Sequence, residues 1–281
     1  MATAPLNAGA VLAEFRVSAP PPVEPHENRI HEDGLARAYG FKGGLVPGVI
    51  VYGWMTHPVV EILGRDWLER GAFAARFARP IYYEEPAVVR ARIIEALPDR
   101  TTIEVGAHNA AGERCATATM TLARGEHPHA PDPAQYPAAP LPAERPPVSH
   151  ERLRGMSVLG TPELALGAAE ARAFLERVGD PLPLYREPGA PAHPFVYLDQ
   201  ANRALDRNVR VSPWIHAESR GQHLSALRVG ERMETRGRIH ALTERKGHRF
   251  VELDLLLLAD GGRPVASIRH LAIYELRPPS S

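Results

Sequence analysis

An asparagine and a histidine three residues apart, Asn28 and His31, head the stretch "ENRIHEDGLARAYGFKGGLVPGVIVYGW", Glu27 to Trp54. The unperturbed pKa of histidine, about 6.5, lies close to neutrality, so His31 is the candidate acid/base. Asn28 is placed to hold it or to hold a substrate, and His26 to orient His31 or share its proton. Downstream, Pro47 opens a helix and Gly48 follows just inside it. The first amides of a helix have no intrahelical partner and carry partial positive charge. An oxygen that becomes negative during a reaction is stabilised at such a point. Gly48 has no side chain to obstruct the approach, so the positions of Gly48 and Val49 are read as substrate-binding. No carboxylate or third histidine stands at a convincing ligand spacing from His26 and His31, so no metal is expected. "GFKGGLVPG" lacks the Lys-Ser/Thr of a phosphate loop, which argues against a nucleotide.

Two kinds of element must position this set. The segment "HEDGLARAYGF" is read as a short helical turn, capped by Asp33, that folds the His31 loop over the helix mouth. The helix, Gly48 to about Leu63, has no clean polar face, so it must be buried on all sides. A long sheet wrapped around one apolar helix does that. The chain repeats the arrangement. "ARPIYYEEPAVVRARI" (78–93) aligns without gaps on "LSALRVGERMETRGRI" (224–239), each an alternating strand after a turn. Residues 101–123 and 248–276 both read strand, Gly turn, strand. A second candidate helix, "FVYLDQANRAL", runs from about Phe195 to Leu205. Between the halves, residues 123–149 are Pro-rich and without periodicity, as in an extended linker that packs no core of its own. The reading is an α+β duplication with halves at 8–124 and 150–277 and a linker at 125–149.

Composition narrows the partners. Of 281 residues, 44% are hydrophobic and 23% charged, enough for a real core. Lys+Arg and Asp+Glu both total 33, and this balance argues against nucleic acid or an anionic membrane as the main ligand. A single cysteine, Cys115, excludes an internal disulfide framework. The N-terminal stretch lacks the basic and apolar regions of a signal peptide, and no window is long and apolar enough to span a membrane. A cytoplasmic location is expected.

The first stretch resembles the MaoC-like, or hydratase-2, branch of hot-dog enzymes, the (R)-specific enoyl-CoA hydratases and acyl dehydratases. Their signature is Asp-x-Asn-Pro-Ile/Leu-His, followed by a Gly at the start of the central helix. His26, Glu27, Asn28, Arg29, Ile30 and His31 occupy the signature positions here, with Gly48 at the helix start. The family Asp is replaced by His26 and the Pro by Arg29. Glu27 and Asp33 are the neighbouring carboxylates, and the alternation of the signature turns Glu27 outward. In the second half "GDPLPLY" (179–185) keeps Asp180 and Pro183 but has Leu182 for Asn and Tyr185 for His. Phe195 stands where the first half has Gly48, so Asp180 and Tyr185 are read as a vestigial second site, with His193 as packing.

The resemblance implies a double hot dog, two hot-dog halves packed as a pseudo-dimer. It also implies a hydro-lyase of fatty-acid metabolism acting on a 2-enoyl or 3-hydroxyacyl thioester. CoA or the phosphopantetheine of an acyl-carrier protein arrives with the substrate, no other cofactor is expected, and pseudo-dimers could pair into a homodimer. The missing Asp keeps two other readings open. One is a hot-dog thioesterase; the other is a non-hydrating acyl-thioester binder, isomerase or cyclase.

Overall fold

The computed structural model describes residues 6–19, 21 and 27–277. Alternation of apolar and polar side chains builds most of its strands. In β3 (Pro86–Ala96) Ala87, Val89, Ala91 and Ile93 are buried while their neighbours face outward. The first half adds β1 (Phe15–Ser18), β2 (Ala72–Phe77), β4 (Arg100–His108) and β5 (Arg114–Ala123). The second half supplies β6 (Glu163–Ala165), β7 (Ile215–His223), β8 (Arg232–Arg245), β9 (His248–Ala259) and β10 (Arg263–Glu275).

All ten strands form one antiparallel sheet in the order β1-β3-β4-β5-β2-β7-β10-β9-β8-β6. Read from either edge, the order repeats with each strand replaced by its counterpart in the other half. The ungapped repeat is part of this symmetry, because its positions 86 and 232 are the first residues of β3 and β8. The halves join where β2 pairs with β7, from Ala72 opposite Gln222 to Arg76 opposite Glu218. The chain therefore has the α+β double hot-dog fold.

The short helices are α1 (Asp33–Ala38), α3 (His150–Gly155) and α4 (Ala168–Val178). The central helices are α2 (Gly48–Arg70) and α5 (Phe195–Asp206). Every residue from Val49 to Val60 is buried, as a helix without a polar face requires. Gly64, at φ 60°, breaks the helix just after the expected end at Leu63, and a second helical segment continues to Arg70. Trp54 is fully buried, and its indole N–H donates to the Val178 carbonyl at 2.8 Å, which ties α2 to α4.

The Pro-rich segment does more than connect. Strand β9 breaks the alternation because both of its faces are covered. Leu253, Leu255 and Leu257 face the main core, while Leu256 and Leu258 meet Tyr136 and Leu224 on the other side. The Tyr136 hydroxyl donates to Asp254 at 3.0 Å, and Arg238 donates to the same carboxylate at 2.9 Å. The expectation that this segment packs no core is therefore corrected: one aromatic side chain seals the outer face of β9. Trp54→Ala, which leaves a large cavity and an unpaired carbonyl, is expected to cost about 3–5 kcal/mol in urea unfolding. The exposed Leu141→Ala is expected to stay within about 0.5 kcal/mol.

Candidate functional site

His31 is held by the segments before and after it. Residues Arg29–His31 form a 3-10 turn whose N-cap is Asn28. Ile30 is buried in a small cluster with Ala36 and Leu45, which anchors the turn. The Nδ1 of His31 lies 2.6 Å from the Leu45 carbonyl, and a carbonyl only accepts, so Nδ1 carries the hydrogen. In the neutral ring Nε2 is then the basic nitrogen, and it lies 3.3 Å from the amide nitrogen of Asn28.

Asn28 is buried and fully engaged. Its Nδ2 donates to the Trp214 carbonyl at 2.8 Å, and its Oδ1 accepts from the Trp214 amide at 3.1 Å. The side chain thus imitates a strand neighbour and fastens the His31 loop to the second half. It holds His31 in place and lines the cavities beside the loop. His26 lies outside the described residues. Asp33 does not cap α1, whose N-cap is Glu32; its carboxylate accepts the Gly44 amide at 2.8 Å. The turn needs glycine there, because a Cβ on Gly44 would stand 2.3 Å from the His31 carbonyl oxygen.

Helix α2 starts beside this loop. Its first backbone bonds run from Ile50 and Val51 to the Pro47 carbonyl, at 2.9 and 3.3 Å. The amides of Gly48 and Val49 precede them, at the positive end of the helix. Two cavities meet here, sharing Asn28, His31, Pro47, Asn202 and Trp214. The outer one, about 390 Å³, is a mouth that carries the charged side chains of Glu27, Asp206 and Arg203 beside Val49. The inner one, about 260 Å³, contains Gly48 and is walled by apolar side chains such as Val51, Phe77, Ile81 and Ile273.

The mouth holds two carboxyl groups, Glu27 and Asp206, that influence one another's ionisation. Burial, and then the hydrogen bond and charge of Glu27, push the pKa of Asp206 up to about 7, against the pull of Arg207 and Arg203. Burial also disfavours the Glu27 carboxylate. The hydrogen bond with Asp206 and the charges of Arg145 and Arg207 outweigh it, so Glu27 stays below its usual range. Arg145, from the Pro-rich segment, approaches Glu27 at 3.4 Å and donates to the Asp206 carbonyl at 3.0 Å. Glu27 is exposed, as expected, and lies at the rim of the mouth. Asp206, Asn202, Trp214 and His216 were missed because they lie in the other half of the chain.

The equivalent region of the second half is filled. Asp180 is fully buried and accepts from His57 Nδ1 at 2.9 Å, His193 Nε2 at 3.2 Å and the Leu182 amide at 2.9 Å. Burial opposes its charge, but the bonds from His193 and His57 outweigh burial and hold its pKa far below the usual carboxylate range. His193 is therefore more than packing: its Nδ1 also accepts the Phe195 amide, the first of α5, at 3.2 Å. Tyr185 is buried beside His193, in a cavity of about 10 Å³. Phe195 is wholly buried at the helix start.

No family model matches the chain, and no curated protein matches it. Solved structures do. A protein of Chloroflexus aurantiacus described as a MaoC-domain dehydratase superposes with a TM-score of 0.68 at 11% identity, over 98% of this chain and 97% of that one. A conserved protein of Mycobacterium tuberculosis with a double hot-dog fold gives 0.67 at 14%, over 95% and 96%. A protein of Novosphingobium aromaticivorans described as a thioesterase gives 0.55 at 16%, over 83% and 89%. At these identities the likeness shows the fold.

Two outcomes follow from the carboxyl groups. The raised pKa of Asp206 means that the folded state holds its proton more tightly than the unfolded chain does. That stabilisation is complete below about pH 4 and is lost as pH rises through about 7. Asp206→Asn cannot ionise, so its urea midpoint is expected to rise relative to the parent protein between about pH 4 and pH 8. Asp180→Asn puts an amide N–H against a ring N–H and is expected to cost about 1–3 kcal/mol, with turnover per folded molecule unchanged.

Proposed function

From the double hot-dog fold that this chain shares with MaoC-domain dehydratases, we propose that it is an acyl-thioester hydro-lyase. It adds water to a 2-enoyl thioester, or removes water from a 3-hydroxyacyl thioester, carried by CoA or an acyl-carrier protein. The observation that carries this reading is the position of His31. Its ring is anchored by the Leu45 carbonyl and stands where the charged mouth meets the chamber, beside the start of α2.

In this mechanism the thioester enters through the mouth and its acyl group occupies the chamber. His31 Nε2 takes a proton from water as the water oxygen bonds to Cβ. The charge that develops on the thioester oxygen faces the Gly48 amide. The imidazolium then returns the proton to Cα, so the elements of water are added in full. Dehydration runs the same steps backwards.

A second reading has one observation in its favour. The Glu27–Asp206 pair brings carboxyl groups into the same mouth, where an ionised member could direct water at the thioester carbonyl and so hydrolyse it. One sample separates the two. Loss of the enoyl absorbance of a 2-enoyl-CoA without free thiol is the result expected of the hydro-lyase, and release of thiol is that of a thioesterase. His31→Ala is expected to lower turnover by about 10²–10⁴-fold with little loss of stability. Unchanged turnover in that variant contradicts the assignment of His31.

A further inference from the structure

Strand β7 carries a buried polar chain that the mechanism above does not use. Residues three apart on a strand normally face opposite sides. Here the register against β10 slips: Glu218 stands opposite Leu271, but His216 stands opposite Ala272. Ala217 is the extra residue of a bulge, and the bulge turns His216 and Ser219 to the same inner face. His216 Nε2 lies 2.8 Å from the Ser219 hydroxyl, which lies 2.9 Å from His270 Nδ1. All three side chains are buried. The outer nitrogens of the chain, His216 Nδ1 and His270 Nε2, have no hydrogen-bond partner among the described residues.

The two ends differ in what they face. His270 Nε2 is enclosed in a residue with no exposed surface. His216 lines the apolar chamber, with its ring against Phe77 at 4.5 Å between centroids. Its Nδ1 lies 3.2 Å from the point where a Cβ on Gly48 would stand. That point is roughly 2.5 Å from the Gly48 amide nitrogen in standard backbone geometry. The two nitrogens are therefore at most about 5.7 Å apart, a span that one oxygen bridges with two hydrogen bonds of about 2.9 Å.

The hydrogens can run along this chain in two directions. In one, His270 Nδ1–H donates to Ser219, Ser219 donates to His216 Nε2, and His216 keeps a hydrogen on Nδ1. The enclosed end is then a bare acceptor. In the other, His216 Nδ1 is the bare acceptor and the unpaired N–H lies at His270 Nε2. Each direction leaves one buried N–H unpaired, and the first places it at His216, beside Gly48, where a ligand oxygen supplies its partner.

Resting on the acyl-thioester reading of the chamber, we propose that His216 Nδ1–H is a catalytic residue, the second donor to the thioester oxygen alongside the Gly48 amide. Each half of the chain then supplies one donor. Burial, then the neighbouring His270, push the pKa of His216 well below the usual histidine value, and burial pushes that of His270 to about 3. The donor is thus a neutral imidazole, which makes no net charge in the chamber and does not titrate in the neutral range. A ring held by Ser219 and His270 gives directional hydrogen bonding without reorganisation.

The test uses butyryl-pantetheine and its thioether analogue S-butyl-pantetheine, which lacks the carbonyl, because pantetheine is common to CoA and carrier-protein substrates. Calorimetry on the parent protein is expected to show preference for the thioester. His216→Phe keeps a ring of similar size without the donor, and is expected to lose about threefold to tenfold affinity for the thioester and none for the thioether. On the substrate that the parent protein turns over, its kcat is expected to fall by about 10²–10³-fold with KM little changed. His216→Gln keeps an N–H and is expected to recover part of both losses; it also serves if the Phe variant does not fold. Equal affinities for the two ligands in the parent protein, or a folded variant with unchanged discrimination and kcat, overturn the role of His216. If the parent protein binds neither ligand, the acyl-thioester reading falls and the proposal falls with it.

Discussion

Helix α2 presents apolar side chains around its whole circumference, and every residue from Val49 to Val60 is removed from water. A helix of this kind is stable only if something surrounds it. The sheet does so, and one core cluster of buried residues runs through both halves. The same constraint makes the site. A helix enclosed along its length still has an end, and its first amides cannot pair within it. At that end lie the Gly44 turn, the His31 loop and the junction of the two cavities. The candidate site is located where burial of the helix stops.

The two halves answer this constraint unequally. In the second half the corresponding loop contributes Asp180, and His57 from α2 and His193 close around its carboxylate. That charge is buried, paired and out of reach, and Phe195 occupies the helix start. In the first half, a small residue at Gly48 and a loop histidine keep the end open. The open site is nonetheless built by both halves, since Trp214 holds Asn28, and α5 brings Asn202 and Asp206 to the mouth. A duplicated chain of this design devotes one copy of its loop to holding the halves together and the other to a half-buried histidine that lines the cavities.

Much of this was legible in the sequence, for local reasons. The apolar helix, the alternating strands and the repeat at 78–93 and 224–239 rest on periodicity, which a sequence displays directly. The Asn28–His31 turn and Gly48 were legible because they lie close together in the chain. What stayed hidden was brought together by folding. Asp206 meets Glu27, and His57 meets Asp180, across the interface between halves. The leucines of β9 read as an irregular strand until Tyr136 is seen to cover one face. His216 and Ser219 read as residues on opposite faces, and only the bulge at Ala217 unites them. His26 lies outside the described residues.

The central claim is that one open site, at the start of α2, receives an acyl thioester. A crystal structure with a bound 3-hydroxyacyl-CoA analogue, its thioester replaced by a stable amide, tests it most directly. The account expects the acyl group in the chamber bounded by Gly48, Phe77 and His216. The analogue's carbonyl oxygen should lie at the Gly48 amide, its 3-hydroxyl near His31 Nε2, and the pantetheine arm should leave through the mouth past Asp206. A ligand seated instead beside Asp180 and Tyr185, with the region around His31 unoccupied, would contradict it.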